Sequence, residues 1–130
     1  MIIFALQKIP EVSRRISVFK LLINEKSPYD EFEKLIRKET TYRKELHSIQ
    51  VRLSEMADGK LLPEMKFRNI TKKGDPIKEY EIKTRNLRVY LFHEENIGRI
   101  IVTGSKKGKQ KINIRYFRNI KQHYIYQKIH

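Results

Sequence analysis

The sequence predicts an α+β fold, and three parts of its 130 residues carry that prediction. Residues 27–57 have helical spacing behind a capping residue, residues 78–103 contain three β-prone segments, and residues 113–127 return to helical spacing. A chain of this length is expected to form one domain. The predicted architecture is a small antiparallel sheet with an N-terminal strand, a helix or helix pair, a three-stranded meander and a C-terminal helix.

Two short apolar runs begin the chain. Residues 2–6 are rich in β-prone side chains and stop near Pro10, which predicts a strand. Residues 16–23 also suit a strand, although Val12, Ile16, Phe19 and Ile23 follow a 4, 3, 4 spacing that a helix would share. A strand is favoured there because residues 24–28 have the composition of a connection into a helix.

The stretch 27–57 is the clearest helical segment. Ser27 is placed to cap the first turn, Pro28 suits the first helical position, and Asp58-Gly59 is a typical end. Thr40-Thr41 predicts a break into two helices. Its apolar positions recur every three or four residues at Phe32, Leu35, Tyr42, Leu46, Ile49, Leu53 and Met56, except that Glu39 occupies the position between Leu35 and Tyr42. Such a heptad pattern also suits a coiled coil, but a helix pair packed on a sheet is favoured for so short a run.

The second half of the chain predicts mainly strands. Residues 61–75 are expected to be irregular. Residues 78–84 and 87–93 then alternate, residues 99–103 contain the apolar run Ile100, Ile101 and Val102, and the links between these segments have hairpin length. In the middle segment one face carries Leu87, Val89 and Leu91, and the other carries Arg88, Tyr90 and Phe92. A loop at 104–111 leads to the final helix, whose apolar stripe is Phe117, Ile120 and Tyr124.

Positive charge is concentrated near the C-terminus. The net charge is +14, and no acidic residue follows Glu95, whereas nine Lys and Arg residues do. Like charges that lack local compensation repel one another, and a polyanion such as nucleic acid would neutralise them. Tyr116, Phe117, Tyr124 and Tyr126 are interspersed among these cations, and aromatic rings can stack on unpaired bases.

Composition argues against several other classes of protein. There is no cysteine, which excludes disulfides and thiolate zinc sites, and the four histidines show no ligand spacing, so no metal or cofactor is expected. No apolar run reaches the roughly 18–20 residues of a membrane span. Residues 1–6 are too short for a signal peptide. The chain is expected to be cytoplasmic, without a membrane partner.

The order of these elements resembles the RelE/ParE toxin superfamily, and most closely its HigB-like, phage-related branch of type II toxin–antitoxin systems. The segments that carry the resemblance are FKLLINEKSPYDEFEKLI, KEYEIKTRNLRVYLF, RIIVTGSKKGKQK and IRYFRNIKQHYI. They cover about residues 18–127, and residues 1–15 have no counterpart and form a candidate N-terminal extension. Lys83, Leu87 and Gly104-Ser105 depart from residues common in the family.

The resemblance implies a RelE-like toxin that inhibits translation by cleaving mRNA, often on the ribosome, and that is silenced by an acidic antitoxin. The implied chemistry is metal-free and needs no small-molecule cofactor: the ribose 2′-hydroxyl attacks the adjacent phosphate. Such an endoribonuclease needs a base, a proton donor and cations around the developing charge, roles that Lys, Arg and Tyr can fill.

The resemblance also implies where the site residues lie. Arg88 is expected to clamp a phosphate from the sheet face, with pairing to Glu81 or Glu94 as the structural alternative. Together with it, the candidate catalytic residues are Lys106, Lys107 and Tyr124, although Tyr124 also suits a core position. The candidate RNA-binding residues are Lys83, Arg85, Lys109, Lys111, Arg115 and Tyr126.

Two other functions stay open at this point. A toxin of the same fold can act without nuclease activity by inhibiting gyrase, as a protein-binding inhibitor. A basic RNA-binding module without catalytic activity would show the same charge distribution.

Overall fold

The computed structural model describes residues 1–129, and its centre is a six-stranded sheet flanked by helices on both faces. Residues of the first half form only two of the strands. In chain order the strands are β1 (Phe4–Lys8), β2 (Val18–Ile23), β3 (Phe67–Asn69), β4 (Glu79–Lys83), β5 (Leu87–Glu94) and β6 (Gly98–Lys106). The α+β class is therefore confirmed.

The strands lie side by side in the order β1-β2-β6-β5-β4-β3. All neighbours are antiparallel except β2 and β6, which run parallel, with Val18 opposite Arg99 and Lys20 opposite Ile101. The prediction of a purely antiparallel sheet is wrong, because the helix pair between β2 and the meander returns the chain in the same direction. The meander β4-β5-β6 is confirmed.

The predicted helix pair begins and ends close to the expected residues. Helix α1 (Pro28–Arg37) follows Ser27, whose hydroxyl accepts a hydrogen bond from the Asp30 amide, and one 3-10 turn (Thr40–Tyr42) separates it from α2 (Arg43–Ala57). Leu35, predicted on the apolar stripe, is instead 63% exposed. The buried stripe of α1 is Tyr29, Phe32 and Ile36, whose spacing turns Leu35 toward solvent.

The third helix is longer than predicted. Helix α3 (Gln110–Ile129) begins three residues before the expected start, and Phe117, Ile120 and Tyr124 are buried as the spacing predicts. None of the helices in residues 1–129 has the length and apolar character needed to cross a membrane.

Each face of the sheet buries its own hydrophobic core. One core packs α1 and α2 on Val18, Ile82, Val89 and Ile101, and the other packs α3 on Leu21, Tyr90, Phe92, Ile100 and Val102. Residues 87–92 are all buried because β5 lies under helices on both sides. The polar residues of β5 are therefore enclosed as well as the apolar ones.

Two segments predicted as irregular belong to the sheet. Phe67–Asn69 forms β3 by pairing with Tyr80–Ile82, and Gly104–Lys106 extends β6, which leaves only residues 107–109 as a loop before α3. At the other edge of the sheet, β1 lies within residues 1–15, the stretch that has no counterpart in the resemblance. It pairs with β2 along its full length.

Candidate nucleic-acid interface

The turn between β4 and β5 is fixed on the helix pair by one carboxylate. Glu45 of α2 accepts hydrogen bonds from the Thr84 hydroxyl and, at 2.8 Å, from both the backbone N–H and the side-chain amide of Asn86. Burial raises the pKa of Glu45, but these bonds outweigh burial, so the pKa is lowered overall. The carboxylate of Glu45 is thus ionised, and it is hydrogen-bonded to Thr84 and Asn86 of the turn.

Arg88 lies at the start of β5, next to this turn, and is only 7% exposed. Its Nη1 donates to the carbonyl oxygens of Thr84 at 2.6 Å and Leu87 at 2.8 Å. The alternative of an ion pair with Glu81 or Glu94 is wrong: Glu81 pairs with Arg68 at 3.1 Å, and Glu94 accepts from Tyr124. Within residues 1–129, Arg88 is therefore a largely buried cation without a carboxylate partner.

Tyr90 follows on the same face of β5 and is fully buried. Its hydroxyl lies 3.1 Å from the Ser105 hydroxyl, and its ring stacks on Phe117 with the centroids 5.8 Å apart. Burial raises the pKa of Tyr90 to about 12, so the phenol stays protonated at neutral pH. Tyr90 thereby holds Ser105, the residue directly across from Arg88 in the sheet.

Sequence reasoning placed Tyr90 on the face of Arg88 but did not assign it or Ser105 to the site. The alternation along β5 was the available signal for Tyr90. Nothing in the local pattern indicated Ser105, because its position depends on the register between β5 and β6.

Six cations meet where β4, β5 and β6 approach the start of α3. Lys83 lies across from Arg88, Arg85 is exposed in the turn, and the Lys107 amide donates to the Asn86 carbonyl at 2.8 Å. We define the basic edge as Lys83, Arg85, Arg88, Lys107, Lys109 and Lys111. None of the six forms an ion pair with any residue in 1–129.

The start of α3 adds to the positive potential of this edge. Its first turn contains no acidic residue, and Lys109 and Lys111 lie at the positive end of the helix dipole, with Arg115 in the second turn. Cations at this end destabilise the helix. A bound anion would offset this cost, because it would accept hydrogen bonds from the free N–H groups of the first turn. The arrangement therefore favours an anionic ligand.

Two of the candidate catalytic residues, Lys106 and Tyr124, lie away from the basic edge. Lys106 points to the opposite face of the sheet, where Nζ donates to Glu39 and lies 5.5 Å from the centre of the Tyr42 ring. Tyr124 donates to Glu94 at 2.6 Å, and Glu94 is six residues, or about 20 Å, along β5 from Arg88. The structure therefore does not bring the Lys106 ammonium or the Tyr124 hydroxyl together with Arg88.

Tyr126 is 64% exposed near the end of α3, also remote from the basic edge. The stacking role expected for it would thus belong to a different surface.

Acidic residues from elsewhere in the fold neutralise part of the C-terminal charge. Arg118 bonds Glu79 at 2.9 Å, and Lys121 bonds both Asp75 at 2.8 Å and Glu79 at 2.9 Å. Lys128 pairs with Glu94. The expectation that these cations are uncompensated therefore fails for α3 beyond Arg115 and stands for the basic edge.

Among residues 1–129 no group of three or more His, Asp and Glu side chains is placed to hold a metal ion. Comparison with protein-family models, curated proteins and solved structures finds no significant match to this chain.

Proposed function

We propose that this protein binds RNA at the basic edge and acts as a metal-independent, ribosome-associated endoribonuclease toxin of the RelE/ParE type. The observation that carries the proposal is the grouping of six cations without an ion pair at one end of the meander. Lys106, Arg118, Lys121 and Lys128 have acidic partners, whereas the six cations of the basic edge have none. Two features support the toxin type: the chain order of strand, helix pair, meander and terminal helix, and the segments quoted above.

The proposed role of Arg88 follows from how it is held. Two carbonyl oxygens fix Nη1, which leaves Nε and Nη2 without a hydrogen bond to any described residue. A guanidinium that is held before the reaction stabilises charge developing on a phosphate without reorganising. The exposed Lys107 and Lys109 of the loop would draw in the RNA backbone, while Arg88 would act on the phosphate that is attacked.

The test is expression of the chain without a partner in bacteria, followed by primer extension on abundant transcripts. We expect growth arrest, loss of translation and cleavage within coding sequences. Arg88→Ala should lower the cleavage rate by about 10²–10³-fold, as loss of one preorganised donor does. Arg88→Lys should restore only part of the rate, because a single ammonium cannot reproduce the fork of the guanidinium.

Arg14→Ala is the matched control for this experiment. Arg14 also donates to backbone carbonyls, those of Glu11 and Ser13, but it precedes β2 at the opposite end of the sheet. A folded Arg88→Ala protein that still cleaves mRNA would refute the assignment of Arg88. Growth arrest with intact mRNA and altered DNA supercoiling would favour the gyrase-inhibitor alternative.

A second candidate function is RNA binding without cleavage. One observation favours it: Lys106 and Tyr124 lie away from the basic edge, and Tyr90 is fully buried. The edge thus offers cations for binding but, among the described residues, no tyrosine placed to transfer a proton to RNA. Intact transcripts together with tight RNA binding in vitro would support this candidate.

A further inference from the structure

A groove lies between α3 and the turn that joins β3 to β4. Its volume is about 490 Å³, and it begins at Lys111, the residue through which it adjoins the basic edge. The polar side chains on its walls are those of Lys72, Lys111, Arg115, Arg118, Asn119 and Gln122.

Buried ion pairs fix the two walls of this groove relative to each other. Lys121 of α3 donates to Asp75 and to the Ile77 carbonyl, each at 2.8 Å, so the turn is tied to the helix. Arg118 adds bonds to Glu79 at 2.9 Å and to the Ile70 carbonyl at 2.7 Å. The groove is therefore formed before any ligand arrives, which lowers the entropic cost of binding.

Lys72, Lys111 and Arg115 line the groove without an ion pair in residues 1–129, and all three are exposed. Asn119 and Gln122 are also exposed and make no hydrogen bond to the described residues. The groove thus offers three cations and two amides to a ligand, whereas the charge of Arg118 is already used by Glu79.

A second cavity of about 490 Å³ adjoins this groove and shares Lys72, Arg118 and Gln122 with it. Most of its surface is apolar, from Pro76, Ile77, Ile125, Tyr126 and Ile129, and its carboxylates, Asp75 and Glu79, are paired with Lys121 and Arg118. A cationic section thus leads directly into an apolar one, with the Gln122 amide between them.

We propose that this continuous groove binds one nucleotide of a single-stranded RNA, with its phosphate at Lys72, Lys111 and Arg115 and its base against Ile77 and Ile125. The inference rests on the proposed RNA binding, but not on cleavage. An unpaired base presents a flat apolar face and a polar edge, which suit the apolar walls and the amide of Gln122. In a duplex both faces are stacked, so a single strand is required. Because Lys111 belongs to both surfaces, the strand would continue onto the basic edge.

The experiment measures binding of a fluorescent 2′-O-methyl RNA strand by anisotropy at several salt concentrations. This strand lacks the attacking hydroxyl, so binding is measured separately from cleavage. Lys72→Glu should weaken binding and reduce the slope of log K against log salt by about 0.7, the value for one lost phosphate contact on a single strand. Lys73→Glu is the matched control: it is the adjacent exposed lysine, makes the same charge change and does not line the groove.

The outcomes separate this inference from the proposed function. Equal effects of Lys72→Glu and Lys73→Glu would refute nucleotide binding in the groove but leave the proposed RNA binding intact. No binding of RNA by the native chain would refute both proposals. Displacement of the strand by AMP, or by polyglutamate, with the same dependence on Lys72 would reassign the groove to a free nucleotide or an acidic peptide. Crosslinks from a 4-thiouridine strand should map to the two walls of the groove, residues 72–77 and 111–125, and a native chain that crosslinks at neither wall would also overturn it.

Discussion

Replacing Lys121 with methionine tests how strongly the buried ion pairs join α3 to the sheet. The side chain of Lys121 is 3% exposed, and its ammonium contacts Asp75, Glu79 and the Ile77 carbonyl. Lys121→Met keeps most of the apolar stem but removes the charge and all three hydrogen bonds. Glu79, itself 2% exposed at its side chain, would keep only Arg118 as a partner.

The expected cost is large because a buried carboxylate loses half of its compensation. Removing one partner of a buried ion pair typically destabilises a protein by about 3–5 kcal/mol. Since Arg118 remains at 2.9 Å from Glu79, we expect the lower end, about 3 kcal/mol. That is a substantial share of the roughly 5–15 kcal/mol by which domains are stable.

Urea unfolding followed by circular dichroism would measure this loss, with Lys128→Met as the matched control. Lys128 also pairs with a carboxylate, Glu94, but its side chain is 45% exposed, so its pair should contribute at most about 1 kcal/mol. A loss below about 1 kcal/mol for Lys121→Met, or equal losses for the two variants, would refute the reasoning. It would mean that water or neighbouring groups replace the ammonium at Glu79.

Two further substitutions test packing and the hairpin turn. Gly104→Ala would place a methyl 2.5 Å from the ring of Phe32, so we expect a loss of about 1–3 kcal/mol in urea unfolding, and a neutral result would mean that α1 can shift. Glu45→Gln should destabilise the protein at neutral pH by weakening the bonds to Thr84 and Asn86. Because the folded pKa of Glu45 lies below its ordinary value of 4.5, its contribution is present above that pH and is lost as pH falls through the folded pKa. The difference between native and variant proteins should therefore shrink in acid, and a difference independent of pH would contradict this assignment.

Local patterns predicted most of the secondary structure, because capping and alternation act over a few residues. Ser27 and Pro28 begin α1 as expected, and the faces of β5 are as its alternation predicts. The three-residue β3 was missed because it has little strand propensity of its own and exists by pairing with β4. The parallel contact of β2 with β6 was missed for the same reason: no local signal encodes a partner so far along the chain.

The candidate site was predictable only in part, for a related reason. Arg88 and the lysines after β6 could be grouped because hairpin register brings nearby segments together. Lys106 was misplaced because its partner Glu39 lies 67 residues away, and Tyr124 because Glu94 lies 30 residues away. Which cations are neutralised is thus a property of the tertiary fold. The sequence establishes only that they are numerous.

The parallel pairing of β2 with β6 has a consequence for the protein during its synthesis. Val18 pairs with Arg99, 81 residues later, so β1 and β2 have no place in the sheet until β6 has been made. At translation rates of about 5–20 residues per second, this interval lasts roughly 4–16 s. A chain released before residue 98 would lack β6, α3 and half of the basic edge. Incomplete products would therefore carry neither the complete six-stranded sheet nor the complete basic edge.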